Sequence, residues 1–141
     1  MFPQEIVKFI KEHHVLTLAV AGNSDLWCSH AFYEFMEGEL LFIITSEEKT
    51  RHIQLVKASD SGIVAGAIAL ETEKIGLIRG LQFKAQIVKS DDSILGKYKL
   101  KYLSRFPYAI LKGGDLWLLK LTEAKYTDNR LGFGKKLNWT L

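Results

Sequence analysis

Hydroxyl and basic side chains gather in one short segment of this chain. Thr45 and Ser46 end an apolar, β-branched run, and Lys49, Thr50 and Arg51 follow shortly after. A strand that leads into a helix start presents unpaired backbone N–H groups and the positive end of the helix dipole, which suit a phosphate. The segment therefore predicts an anion-binding site. An ordinary capped helix with a solvated basic face would show the same residues, and the sequence leaves that alternative open.

The helix start is predicted from capping signals. Thr45 and Glu48 have the spacing of a capping box, in which each side chain satisfies a backbone N–H group at the other residue. The helix is then expected near residues 47–57, with Lys49 and Arg51 inside its first two turns.

Length, charge and composition restrict the class of protein. The 141 residues suit a single domain, and a dispersed net charge of +3 argues against a dedicated nucleic-acid binder. No apolar run approaches the roughly 20 residues that cross a bilayer, and the N-terminus lacks the pattern of a signal peptide. The single Cys28 excludes an intrachain disulfide framework, which fits the cytoplasm. We therefore expect one cytoplasmic domain over residues 1–141, without a membrane span.

Residue patterns predict an α+β, mainly β, protein with flanking helices. Apolar spacing after Pro3 predicts an N-terminal helix, and residues 22–25 and 37–39 have the composition of hairpin turns. Short links of this kind favour an antiparallel sheet or barrel over a doubly wound parallel sheet. The predicted strands cover residues 14–21, 26–35, 40–45, 63–70, 75–88, 116–126 and a short segment ending at 139. A further helix is expected to start at Asp91 and Asp92, to carry Ile94, Leu95, Tyr98 and Tyr102, and to end by Pro107 and the pair Gly113 and Gly114.

The predicted strand at residues 26–35 is largely apolar on both faces. A strand with one free surface should show a polar face, so this strand is expected to be covered on both sides, by the core and by a helix, a ligand or a second subunit. Cys28 and His30 share one face and could form a thiol–imidazole pair. A small apolar core residue is the other interpretation of this cysteine.

Arg79 occupies an unusual place in the predicted strand at residues 75–88. Strict alternation would point it to the same face as Leu81, where an unpaired charge is costly. A bulge at Gly80 would instead place Ile78 on the core face and turn Arg79 to the opposite face. The glycine would also allow close approach of a flat ligand, although a bulge that only bends the strand explains it equally well.

The order of predicted elements and three short segments match a known family. The segments are residues 42–52, Arg79 within residues 78–85, and residues 125–131, where an aromatic residue precedes Asn-Arg-Leu. Together they resemble the split barrel of pyridoxamine-phosphate-oxidase-like flavin proteins. Segments at 83–84, 105–107 and 127–136 look most like an uncharacterised bacterial group within that superfamily.

The resemblance implies a single FMN-binding split-barrel domain that forms a homodimer, with cofactor sites at the subunit interface. It assigns the FMN phosphate to Lys49, Thr50 and Arg51, and it places the strand with Cys28 and Ser29 along the isoalloxazine ring. Residues from the end of the chain would reach the site, in part across the dimer. The cofactor-binding set implied by the resemblance is Cys28, Ser29, Thr45, Ser46, Lys49, Thr50, Arg51, Arg79, Gln82, Tyr126, Arg130 and Lys135.

One segment departs from the oxidase pattern. After Asn-Arg-Leu the oxidase supplies a histidine and an arginine to its substrate, whereas this chain has Gly132 to Lys136, with sequence Gly-Phe-Gly-Lys-Lys. The departure argues against oxidation of pyridoxamine phosphate. The glycines could form a backbone anion nest, or the segment could be an ordinary loop.

Two functions remain open from the sequence. The first is an FMN-dependent oxidoreductase that passes electrons from a reduced donor to a small acceptor; because the cofactor carries that chemistry, no acid–base pair needs to be present and no catalytic residue is identified. The second is a non-catalytic dimeric binding module for FMN, haem or another planar anionic ligand. No residue spacing indicates a metal site.

Overall fold

The computed structural model describes residues 1–91, 96–109 and 113–141. Within these ranges the chain forms three α-helices and eight strands, joined by turns that include short 3-10 segments. In chain order they are α1 (Gln4–Glu12), β1 (Val15–Gly22), β2 (Asp25–Phe32), β3 (Glu34–Met36), β4 (Leu41–Ser46), α2 (Arg51–Ala58), β5 (Ile63–Ala69), β6 (Arg79–Lys89), α3 (Lys97–Arg105), β7 (Asp115–Asp128) and β8 (Lys136–Thr140).

All the strands join one antiparallel sheet. Its order is β2-β1-β5-β6-β7-β4-β3, and β8 also pairs with β7. The long strand β7 pairs with β6 on one side, while its other side is shared by β4 along the first half and β8 along the second half. The sheet curls into a half-barrel with three flanking helices among the described residues, which confirms the predicted mainly-β antiparallel class. No helix in the described ranges is both long enough and apolar enough to cross a membrane.

The inward face of the half-barrel is filled by aromatic and branched side chains. Phe42 of β4 is fully buried and packs against the rings of Tyr33, Phe35 and Phe83, with ring centroids 4.9–5.2 Å apart. The residues that alternate with it along β4 are also buried, in a second cluster with Tyr102 of α3. Because both faces of β4 are covered, its sequence is a continuous apolar run.

The predicted strand at residues 26–35 is interrupted at Tyr33. The buried hydroxyl of Tyr33 donates to the carbonyl oxygen of Ile10 at 2.5 Å, and its backbone N–H donates to the carbonyl oxygen of His14 at 3.0 Å. Both partners flank the end of α1, so the chain turns inward here and separates β2 from β3. Burial raises the pKa of the Tyr33 hydroxyl, which keeps it a hydrogen-bond donor.

The predicted capping box at Thr45 and Glu48 is wrong. Helix α2 begins at Arg51, and Thr50 is its N-cap, with its side chain accepting from the backbone N–H of Ile53 at 3.4 Å. Thr45 stays in the β4–β7 ladder opposite Leu116. Ladder hydrogen bonds extend the strand by two hydroxyl residues, and a tight turn separates it from the helix.

The predicted bulge at Gly80 is also wrong. Gly80 pairs regularly with Thr127, and the register irregularity lies between Lys84 and Ala85, where Thr122 is the extra residue on β7. Arg79 therefore lies on the inward side of the sheet, with its side chain only 14% exposed. Its charge is tolerated there because the Glu12 carboxylate lies 3.1 Å from its Nη1.

The remaining predicted elements agree with the structure where it describes them, except that the strand expected over residues 75–88 begins only at Arg79, because Ile75–Leu77 form a 3-10 turn. Strands β1, β5, β7 and β8 lie where they were expected, and helix α3 carries Tyr98 and Tyr102. Its predicted start at Asp92, with Ile94 and Leu95, falls outside the described residues. The β1–β2 turn has positive φ at Asn23 and Ser24 (53° and 61°), as a two-residue hairpin turn requires.

Candidate functional site

The junction of β4 and α2 brings three polar side chains together. The hydroxyl Oγ of Ser46 lies 2.6 Å from Nε2 of His52, and Oγ1 of Thr50 lies 3.3 Å from the same nitrogen. We call Ser46, Thr50 and His52 the hydroxyl cluster. Trp117 fixes its position, because its indole N–H donates to the carbonyl oxygen of Ser46 at 3.1 Å. The cluster lies at the N-terminus of α2, where donors and the helix dipole favour an anion.

His52 was not assigned a role by sequence analysis. It is the second residue of α2, and it points back to the end of β4. Partial burial lowers the pKa of its imidazole, so the ring is neutral at pH 7. The residues around His52 in the sequence do not indicate a role for it. Its orientation toward Ser46 follows only from the observed start of α2 at Arg51.

The two predicted cations of the phosphate cradle are near the cluster but differ in their surroundings. The Lys49 side chain is 84% exposed and lies 3.3 Å from the carboxylate of Glu47. Arg51 pairs with Asp25 at 2.8 Å and stacks over the Trp27 ring at 3.8 Å. Exposed ion pairs of this kind contribute about 0–1 kcal/mol, so both cations can exchange their partners for a bound anion.

Glu48 anchors the turn between β4 and α2. Its carboxylate pairs with Lys57 of α2 and, at 2.6 Å, with Lys89 at the end of β6. These two cations lower the pKa of Glu48 to about 2. The Gln54 side chain also donates to the Glu48 carbonyl oxygen at 2.6 Å. The turn is thus fastened to α2 and to β6, which holds the hydroxyl cluster in place.

The predicted pair on β2 is divided between the two faces of the sheet. Ser29 lies opposite Leu18, which is fully buried, so it points inward, and its hydroxyl is buried without a hydrogen-bond partner among the described residues. Cys28 lies opposite Ala19 and is exposed on the outer face. A buried hydroxyl without a partner is costly unless a ligand supplies one. Ser29 therefore fits the polar edge of a bound cofactor better than Cys28 does.

Arg79, Tyr126 and Arg130 form a second group around Asp128. The carboxylate of Asp128 is buried, accepts two hydrogen bonds from the Arg130 guanidinium at 2.9 and 3.1 Å, and accepts one from the Tyr126 hydroxyl at 3.3 Å. The hydrogen bonds from Arg130 lower the pKa of Asp128. Arg79 lies beside this group, because its side chain and the Tyr126 ring both contact Phe9.

The two groups lie at opposite ends of β6. Glu48, in the turn beside the hydroxyl cluster, contacts Lys89, the last residue of β6, whereas Arg79 is the first residue of that strand. The ten residue steps between them span roughly 30 Å along the strand. One chain therefore does not bring all the predicted cofactor-binding residues into one site.

Gln82 and Lys135 lie apart from both groups. Gln82 points outward into a shallow depression of about 380 Å³ that small residues of β1 and β5 line. Lys135 is exposed in the loop before β8. The backbone N–H groups of Gly132, Gly134 and Lys135 all donate within that loop, to Asn129 and Gly132. They are not available to a ligand, so the geometry favours an ordinary loop over an anion nest.

A cleft of about 830 Å³ lies between β2, β4 and α3. Thr45 faces it, because alternation along β4 turns Thr45 away from Ser46 and the hydroxyl cluster. The Tyr102 hydroxyl lies 3.5 Å from Oγ1 of Thr45. No local sequence pattern indicates this cleft, because its walls come from segments far apart in the chain. The lining residues are Val15, His30, Ala31, Phe32, Thr45, Tyr102, Arg105, Phe106, Pro107, Tyr108 and Ala109.

Metal ligands do not cluster in the described part of the chain. No three His, Cys, Asp or Glu side chains there are placed to hold one ion. Cys28 and His30 lie on the same outward face of β2, as predicted, but His30 bonds instead to Thr17, with Nδ1 3.2 Å from its hydroxyl.

Comparison with solved structures defines the class of the fold. A heme binding protein of Mycobacterium smegmatis superposes with a TM-score of 0.79 at 15% identity, over 99% of this chain and 59% of that chain, so this chain spans less than two thirds of that protein. A FAD-binding protein of Mesorhizobium loti superposes with a TM-score of 0.72 at 12% identity, over 89% of this chain and 92% of that chain. The heme storage protein HutZ of Vibrio cholerae superposes with a TM-score of 0.67 at 15% identity, over 97% of this chain and 92% of that chain. At these identities the likeness shows the fold, and the fold is that of the split-barrel proteins.

Relatives in sequence define the family within that class. A UPF0306 protein of Serratia proteamaculans is 39% identical over 137 residues, which cover 97% of this chain and 94% of that protein. A UPF0306 protein of Yersinia pestis is 37% identical over 135 residues, which cover 96% of this chain and 90% of that protein. The chain therefore belongs to the UPF0306 family. No protein-family model matches it.

Proposed function

We propose that this protein is a homodimeric binding protein for a planar anionic cofactor, with FMN as the first candidate. The observation that carries the proposal is the hydroxyl cluster at the start of α2, with Arg51 and Lys49 beside it. The buried hydroxyl of Ser29 on β2, which has no hydrogen-bond partner among the described residues, adds to it. A phosphate needs donors and positive charge, and a flavin ring needs a partner for its polar edge. The junction of β4 and α2 offers the donors and positive charge, and Ser29 of β2 offers the polar partner.

The phosphate would bind at the N-terminus of α2. Ser46 and Thr50 can turn their hydroxyl groups toward it, and Lys49 and Arg51 can exchange their exposed carboxylate partners for it. Each charge-assisted hydrogen bond of this kind contributes about 1.5–3 kcal/mol. The Trp27 ring, which Arg51 covers at 3.8 Å, belongs to the strand that would lie along the flavin.

A second subunit would complete the site. Arg79, Tyr126 and Arg130 are separated from the hydroxyl cluster by the length of β6, so they can join a shared site only when two chains contribute to it. The outer side of β2 supports such an interface, since Leu26 is 74% exposed and Cys28 is also exposed there in a single chain. Exposed apolar residues that share one face are typical of association surfaces.

Electron transfer is the activity that we propose for the flavin-bound form. FMN would supply the redox chemistry, and this chain would bind and orient it. The donor and acceptor are small molecules that the site does not define. We do not expect oxidation of pyridoxamine phosphate, because the loop from Gly132 to Lys136 presents an exposed Lys-Lys pair in place of the oxidase's histidine and arginine.

Haem is the second candidate ligand. Two proteins of the same fold are named for heme binding or heme storage, and in this chain His30 lines the large cleft beside β2. A cofactor-binding protein without catalysis is compatible with everything described for either ligand.

Absorbance spectra and fluorescence titrations with FMN and with haemin test the proposal. We expect a flavin band in the purified protein or quenching of FMN with micromolar or tighter affinity. The double variant Lys49→Ala, Arg51→Ala should weaken FMN binding by about 100-fold or more, because two charge-assisted hydrogen bonds are lost. The double variant Lys8→Ala, Lys101→Ala, which removes the same charge from α1 and α3, is the control. Equal FMN affinity in both variants would contradict the assignment, and binding of haemin alone would favour the second candidate.

A further inference from the structure

The cleft beside α3 is a separate feature from the hydroxyl cluster. Thr45 and Ser46 are neighbours, yet they point to opposite faces of β4, so the cluster and the cleft lie on different sides of that strand. A volume of about 830 Å³ is within the range of sites that bind small molecules. The cleft is therefore a separate candidate site for a small molecule.

Aromatic rings form the walls of the cleft. Phe32 of β2 and Phe106 after α3 have ring centroids 5.4 Å apart, and Tyr108 is 83% exposed at the rim. Flat rings pack well against such walls through offset or edge contacts. The shape and lining favour a planar aromatic ligand.

Two hydroxyl groups in the cleft are available for hydrogen bonding. The Tyr102 residue is only 4% exposed, and its hydroxyl contacts the Phe32 carbonyl oxygen and Thr45 Oγ1 at 3.5 Å each, which is the outer limit of a hydrogen bond. Burial raises the pKa of the Tyr102 hydroxyl, so it remains a donor at neutral pH. A buried donor with only long contacts gains when a ligand offers it a better acceptor.

The charge of the lining restricts the ligand further. Among the described residues, no aspartate or glutamate lines the cleft, while His30 and Arg105 do. The Arg105 guanidinium is held by the carbonyl oxygens of His13 and Tyr33, at 2.6 and 3.0 Å, and lies 3.6 Å from the Glu34 carboxylate. The cleft thus accepts neutral or anionic molecules and disfavours cations.

We propose that this cleft binds a planar aromatic carbonyl compound, whose ring lies against Phe32 and Phe106 and whose carbonyl oxygen accepts hydrogen bonds from Tyr102 and Thr45. The site is separate from the proposed FMN site, and its ligand can bind whether or not FMN occupies the opposite side of β4.

Calorimetric titration with two matched probes tests the proposal. Anthraquinone-2-sulfonate has the ring, the negative charge and the carbonyl groups, and anthracene-2-sulfonate lacks only the carbonyl groups. We expect the quinone to bind more tightly. Tyr102→Phe should weaken quinone binding by about 2- to 12-fold, as the loss of one hydrogen bond predicts, and leave anthracene binding unchanged. Tyr98→Phe, which removes a hydroxyl from the same helix outside the cleft, is the control.

Other outcomes overturn the proposal in recognisable ways. Equal binding of the two probes, or no effect of Tyr102→Phe, would exclude recognition of a carbonyl group. Absence of saturable binding would mean that a second subunit or another part of the chain covers the cleft. Displacement of the quinone by equimolar FMN would show that the cleft is the flavin site itself. Quinone binding without any FMN binding would support the cleft and contradict the proposed function, and the reverse result would do the opposite.

Discussion

At the scale of single residues, His52 contacts both hydroxyl groups of the candidate site, although no sequence pattern indicates it. Its Nε2 lies 2.6 Å from the Ser46 hydroxyl, the charged residues of the adjoining turn are Glu47, Glu48 and Lys49, and Arg51 follows at the start of α2. Partial burial lowers its pKa below the usual 6.5. The neutral ring can share a proton with Ser46 and adds no charge to the cluster.

We expect His52 to make folding stability depend on pH. Because its pKa is lower in the folded chain than in the unfolded chain, the unfolded state binds the proton more readily, and stability is lost as pH falls below about 6.5. Urea unfolding at pH 5.5 and 7.5 measures this. The loss on acidification should be smaller in His52→Gln than in the original protein. An identical loss would mean that His52 titrates in the folded chain as it does in the unfolded one.

At the scale of elements, the position of α2 depends on one close contact with β1. A Cβ atom added to Gly22 at the end of β1 would lie 2.1 Å from the carbonyl oxygen of Leu55 in α2. No real contact is that short, so a side chain there must push the helix away from the sheet. The helix carries Thr50, Arg51 and His52, so the packing of this glycine sets the position of the proposed phosphate site.

Gly22→Ala should therefore lower both stability and cofactor affinity. Overpacking of this kind costs about 1–3 kcal/mol of unfolding free energy. Gly38→Ala is the matched control, because a Cβ there meets no atom within 4 Å. Chemical unfolding and FMN titration of both variants test the prediction. Equal behaviour of the two would show that α2 tolerates displacement.

The sequence predicted the type and approximate position of most helices and strands, whereas it did not predict the exact residues at which they begin and end. Alternation and hairpin residues predicted most of the strands, because these signals are local. Thr45 looked like a helix cap, but pairing with Leu116 on a distant strand kept it in β4. Arg79 looked like a reason for a bulge, but Glu12 on α1 pairs with its charge on the inward side. Both errors arose where a partner distant in sequence decided the local conformation.

The candidate site was predicted in part for the same reason. Ser46, Thr50 and Arg51 are close in sequence and are also close in space. His52 required the true helix register, and the cleft with Tyr102 and Phe106 required the packing of α3 on β4, which no local pattern encodes. Arg79, Tyr126 and Arg130 do group together, but far from the cluster that the resemblance joined them to.

At the scale of the whole molecule, the outer face of the sheet is the expected subunit interface. Across β2, β1 and β5 this face carries Cys28, Ala19 and Ala65 in one row, with Leu26 exposed at its edge. Small side chains make a flat surface that a second copy can approach closely. We expect a dimer at micromolar concentration.

Ala65→Glu should convert that dimer to monomers, because it would place a charge without a partner inside the interface. Light scattering measures the mass, and Lys101→Glu on α3 is the control for a surface charge change. A stable monomer of the original protein would contradict the proposed interface, and a dimeric Ala65→Glu variant would place the contact elsewhere.

The hydroxyl cluster and the group around Asp128 lie at opposite ends of β6, and this separation predicts complementation between two defective subunits. If each site takes the hydroxyl cluster from one chain and the Asp128 group from the other, a dimer contains two such composite sites. A subunit defective at Arg51 and a subunit defective at Arg130 would then complement each other. In the mixed dimer one site receives both defects, while the other is built entirely from intact parts. Each mixed dimer would regain half of its binding capacity, which a site contained within one chain does not allow.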